Sequence, residues 1–83
     1  MTKPNVNVML QGFDQIVVRA DVRSGKPCIV KTRITVGDIL GYLSIGMTFG
    51  EIIENFPKLT EEGIRQALAY AAAKENRTRT IAA

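Results

Sequence analysis

The chain has 83 residues, 46% of them hydrophobic, with a formal charge of +3, one cysteine and no histidine; this is the range of one small domain that buries only about 60–65% of its unfolded surface. The commonest general base and metal ligand are missing, and the lone Cys28 has neither a disulfide partner nor a histidine to activate it, so the composition argues against an enzyme, a metal and a cofactor. No apolar run approaches the roughly 18 residues of a membrane span, and MTKPNVNVMLQG lacks a signal's apolar core, which predicts a cytoplasmic protein with no membrane partner and no small-molecule substrate.

Residues 1–14 carry no helical stripe and read as a flexible or strand-pairing arm. QIVVRA (15–20) is β-branched and reads as a strand. DVRSGKP is turn chemistry, and CIVKTRI (28–34) reads as a second strand. Two strands need a helix face or a second subunit to cover them. From Thr35 the period becomes helical. Val36, Ile39, Leu40 and Leu43 form one stripe, with Thr35 as N-cap and Gly46 placed as the glycine after the last turn. Thr48 and Glu51 have capping-box spacing for a second helix faced by Phe49, Ile52, Ile53 and Phe56 and stopped by Pro57. Thr60 caps a third helix with the stripe Ile64, Ala67, Leu68 and Ala71. Gly37, Gly41, Gly50 and Gly63 fall inside these helices, where each costs about 1 kcal/mol relative to alanine unless packing requires it. The expected fold is mainly α. It is a single domain over 15–73, with a β element at 15–34, a three-helix helix-turn-helix core at 35–73 and a fraying polar tail at 74–83.

Charge is uneven along this plan. Residues 1–34 carry six cations and two anions, residues 35–73 two cations and five anions, and residues 74–83 three cations and one anion. GKP (25–27) resembles half of a phosphate-binding loop, but Pro27 replaces the hydroxyl residue and a strand follows, so a simple turn is the better reading. In a strand Lys31 and Arg33 share one face, either a solvated face or, with Lys26, a phosphate-binding one. The third helix is the candidate recognition helix. Arg65 could hold a phosphate or guanine, Gln66 could read adenine, and Tyr70 lies on the flank. Arg77 and Arg79 in the tail add phosphate contacts. Glu61 and Glu62 complement the helix dipole, count against insertion of this end into DNA, and are the candidate contacts to a basic protein partner. Cys28 reads as a small buried hydrophobe.

Gly25-Lys26-Pro27, Thr32-Arg33-Ile34, Gly46-Met47-Thr48, Phe56-Pro57-x-Leu59-Thr60 and Ala67-Leu68-x-Tyr70-Ala71 stand in order across residues 25–72. This series resembles the domain-of-unknown-function family 433. The resemblance implies a homeodomain-like fold with an N-terminal β element and a homodimer. It also implies a DNA-binding antitoxin of a type II toxin–antitoxin pair, which neutralises a PIN-like ribonuclease and represses its own operon by binding operator DNA. A dimeric protein-interaction module without DNA binding is the alternative. Where the family has glycine before Thr-Arg-Ile, this chain has Lys31. That departure predicts a strand running straight through in place of a tight turn.

Overall fold

The computed structural model describes the backbone of residues 8–9 and 12–82 and the side chains of residues 12–75. Three short strands, β1 (Val8–Met9), β2 (Ile16–Val18) and β3 (Pro27–Ile29), form an antiparallel sheet in that order. Val8 pairs with Val18, and Ile16 pairs with Ile29. Of the arm expected over 1–14, the described part thus includes an edge strand; residues 1–7, 10 and 11 lie outside the described residues. Helices α1 (Val36–Ser44), α2 (Phe49–Asn55) and α3 (Glu61–Ala82) follow, giving the mainly α, three-helix domain that the periodicity predicts.

Local chemistry sets the helix boundaries. Thr35 Oγ1 accepts from the Asp38 N–H at 2.9 Å, and Asp38 Oδ2 accepts from the Thr35 N–H at 3.1 Å. Thr48 and Glu51 repeat the reciprocal pair at 3.1 and 2.9 Å. Each box satisfies two backbone donors. α1 ends where Gly46 takes φ +96° and donates to the Leu43 carbonyl, while Met47 donates to that of Tyr42. These two bonds close a Schellman motif, which needs the left-handed residue that glycine supplies. Thr60 Oγ1 accepts from the Gly63 N–H at 3.0 Å, without a reciprocal side chain because that place is glycine.

The core joins sheet to helices. Ile16 and Ile29 from paired strands meet Val36, Ile39, Ile52, Leu59, Ile64 and Ala67, each at most 5% exposed. Tyr42 and Phe56 stack with ring centroids 5.2 Å apart, tying α1 to the end of α2. Gly63 lets α3 approach β3: an added Cβ would lie 3.4 Å from Ile29 Cγ2. Close packing does not explain Gly41, where the same atom would meet nothing within 4 Å.

Four expectations are corrected. Leu40 is 37% exposed, because the buried stripe of α1 is narrower than its apolar one. The third helix, expected to fray after Ala73, runs to Ala82; no glycine or proline follows Gly63 to stop it. The second strand is Pro27–Ile29 and not 28–34, and a turn occupies the remainder. The tight turn at Lys31 forms without the glycine.

Candidate nucleic-acid interface

The site grows from that turn. The Thr32 N–H donates to the Ile29 carbonyl at 3.1 Å, closing a four-residue turn whose third member, Lys31, has φ +65°. A turn with positive φ at this position ordinarily calls for glycine. Thr32 Oγ1 supports it, donating to the Ile29 carbonyl at 2.9 Å and accepting from the Ile34 N–H at 3.0 Å. The Ile29 N–H then donates to the Ile34 carbonyl at 2.9 Å, so the chain doubles back on β3.

Two arginines clamp the doubled-back segment. The Arg19 guanidinium, at the end of β2, donates to the Thr32 carbonyl. Arg23 donates to the Arg33 carbonyl at 3.0 Å and to Asp38 Oδ2 at 2.9 Å. Arg23 itself sits in a run of three residues with positive φ: Arg23 (49°), Ser24 (60°) and Gly25 (77°). Left-handed conformation costs an L-residue about 1–2 kcal/mol, and the Arg23 bonds help hold it. Burial, the largest single influence on Asp38, pushes its carboxyl up, but the hydrogen bonds from Arg23 and Thr35 and the Arg23 charge outweigh it and leave the group below its ordinary range.

The result is an open groove of about 600 Å³. Ile34, Phe56 and Pro57 contribute its apolar side, Asn55 an amide, and Arg19, Lys31, Arg33 and Lys58 its cations. No acidic residue lines it. Among the described residues the ion pairs are Arg23–Asp38 and Arg65–Glu62, so the groove's four cations share none of them.

Of the predicted contacts, the groove brings together Lys31 and Arg33 on one turn. Lys26 is exposed but lies outside it. The proposed reading face of the third helix is engaged within the protein. Gln66 Oε1 accepts from the Gln15 N–H at 2.9 Å, and its Nε2 donates to Asp14 at 2.8 Å and Glu62 at 3.0 Å. These bonds pin α3 to the segment before β2 and leave Gln66 no free edge to present to adenine. Tyr70 packs edge-on against Phe13 with centroids 5.5 Å apart, and the Lys74 ammonium lies 5.8 Å above its ring. Arg65 pairs with Glu62 in solvent. Bonds from Gln66 and then Arg65 hold the Glu62 carboxyl below its usual range. Glu61 stays exposed in the first turn of α3. Arg77 and Arg79 belong to α3 by backbone, but their side chains lie outside the described residues. Cys28 is 1% exposed and burial pushes its thiol up, as suits a buried hydrophobe.

Sequence reasoning missed Arg19, Asn55, Phe56 and Lys58 as groove residues. The signal available for Lys58 was a cation directly after the helix-stopping Pro57. No local signal joins it to Arg19; only the packing of α2 against the doubled-back segment does.

Among the described residues no helix is long and apolar enough to cross a membrane, and no group of three or more Cys, Asp or Glu residues could hold a metal ion. No curated protein matches the chain. A solved structure, the crystal structure of a DUF433 member protein from Anabaena variabilis ATCC 29413 at 2.00 Å resolution, is similar with a TM-score of 0.69 and 31% identity, covering 83% of this chain and 69% of that one. The family model described as "Protein of unknown function (DUF433)" matches residues 16–71, a span that holds the turn, the caps, α1, α2 and the first half of α3. The chain belongs to the DUF433 family.

Proposed function

We propose that this protein is a small DNA-binding homodimer of antitoxin type, which represses its own operon and neutralises a PIN-like ribonuclease. The observation that carries the DNA-binding part is the groove: four cations and no acid, with Lys31 and Arg33 on a turn clamped by Arg19 and Arg23. The antitoxin setting comes from the resemblance of the motif series and is the further step. The groove takes over the role that periodicity gave to the third helix, because Gln66 is committed internally and Glu61 and Glu62 occupy that helix's start. Dimerisation would use the exposed apolar side chains of α1 and its C-terminal end, Leu40 at 37% and Ile45 at 76% exposure. The exposed Glu61 favours a second reading, in which the start of α3 binds a basic protein partner and DNA plays no part.

The test is fluorescence anisotropy with the protein's own upstream duplex and a scrambled duplex across a salt series. Preference for the upstream duplex by roughly a thousandfold is the expected result for an operator binder. Replacing Lys31, Arg33 and Lys58 with glutamine should then flatten the salt slope by about 0.9 for each phosphate no longer neutralised. Weak binding, equal for both duplexes and abolished near physiological salt, would sink the repressor reading and turn attention to the protein-interaction one.

A further inference from the structure

The groove has a feature that duplex recognition leaves unused. Its floor is apolar and aromatic, built from the half-buried Ile34 and Phe56 and continued by the exposed Pro57, and it is edged by the exposed Lys31, Arg33 and Lys58 and the half-buried Arg19. In a duplex the flat faces of the bases are already stacked on one another, and the outside offers phosphates, sugars and base edges. Rim cations can meet those phosphates, but the floor gains nothing. An unpaired base instead presents an apolar face, and its burial on an aromatic or apolar surface is worth about 1–3 kcal/mol per base.

From this we infer that the groove takes an unpaired stretch of DNA, with bases against the Phe56–Pro57 floor and phosphates along the Arg19–Lys31–Arg33–Lys58 rim. The inference rests on the DNA-binding reading and specifies the state of the strand. Three observations support it. First, the rim cations come from three separate segments: the end of β2, the 29–34 turn and the connection between α2 and α3. That spread suits the repeated charges of a polymer better than a single phosphate. Second, Phe56 is already ordered by its stack on Tyr42, so little side-chain freedom remains to be lost on binding. Third, the Asn55 Nδ2 donates to the Glu51 carbonyl at 2.8 Å, which holds the amide at the rim with its oxygen unspent by that bond.

The experiment compares four probes on the full chain by anisotropy: oligo-dT of about 12 nucleotides, within the site sizes of single-strand binders, oligo-U of equal length, a scrambled duplex, and a thymidine monophosphate competitor. The expected result is oligo-dT binding at least about tenfold tighter than the scrambled duplex, the equivalent of one stacked base. Phe56→Leu should weaken oligo-dT binding about tenfold and leave the duplex unchanged. Lys58→Glu, an exposed change that spares the core, should weaken both. Thermal unfolding of each variant separates impaired binding from an impaired fold. Equal affinity for strand and duplex, with Lys58→Glu weakening both, overturns the unpaired-strand inference and leaves the DNA-binding reading standing. No binding to any of the four overturns the inference, and no binding to the protein's own upstream duplex either overturns both. Tighter binding of oligo-U assigns the groove to RNA. Competition by the monophosphate as effective as by oligo-dT assigns it to a small anion. Each of these last results refutes the assignment to DNA.

Discussion

Lys31→Gly separates the stability of the fold from the chemistry of the groove. Lys31 holds φ +65° in the third place of the 29–32 turn, with its side chain exposed at the groove rim. Left-handed backbone costs a residue bearing a Cβ about 1–2 kcal/mol, a cost that glycine escapes. Glycine gives back about 0.4–1 kcal/mol through its freer unfolded chain. The net expectation is a gain of about 0.5–1 kcal/mol, or a rise in Tm of roughly 2–8 °C for a domain of this size. DNA binding should move the other way. One rim cation is gone, so the salt slope on a duplex should flatten by about 0.9 and affinity should fall. Urea or thermal unfolding measures the first effect, and anisotropy across salt the second. Lys31→Ala is the control that keeps the strain and removes the charge: weaker binding without the stability gain. If Lys31→Gly is no more stable than Lys31→Ala, the left-handed backbone at position 31 carries no strain for glycine to relieve.

Three further outcomes are expected. Gln66→Ala should lose about 1–3 kcal/mol, the cost of leaving the Gln15 N–H without its acceptor, while DNA affinity stays constant; a loss of sequence preference without a loss of stability would return the recognition role to α3. Asp38→Asn should be less stable than the parent near neutral pH, and the gap should close in acid. The folded carboxyl lies below its ordinary value of 3.8, so its contribution is present above that value and disappears as pH falls through the lowered folded one. Unfolding curves of both proteins between about pH 7 and pH 2 test this, and a gap that persists at the lowest pH refutes it. Gly41→Ala should stabilise by about 0.5–1 kcal/mol, since the added methyl meets open space on α1. Destabilisation that varies with protein concentration would instead place that face in a dimer interface.

Most of the helical framework was legible along the chain because it depends on neighbours a few residues apart. Thr35, Thr48 and Thr60 announce helix starts through bonds to residues three places on. Gly46 announces a stop, because only a residue free to take positive φ closes that motif cheaply. The apolar spacing of Val36, Ile39, Ile52, Ile64 and Ala67 marks the core, since burial follows helical period. The motif series identified the family from the same local information.

Tertiary structure decided the rest. Lys31 reads as one more residue of an alternating strand, and nothing nearby in sequence says otherwise. Its turn persists because Arg19 and Arg23, from other segments, bind the carbonyls of Thr32 and Arg33 and over-determine the backbone between them. Gln66 looks outward on a helical wheel, yet it bonds residues 51 and 52 positions away. Leu40 looks inward and is partly exposed, because the layer that α1 covers is narrower than the helix's apolar stripe. The groove itself is the clearest case. Arg19, Lys31, Arg33 and Lys58 are scattered along the chain and meet only when the β-turn segment folds against the α2–α3 connection. Helix starts and stops are written in bonds between near neighbours, which a sequence displays; a charged groove depends on which distant segments pack together, and that emerges only once the core has closed.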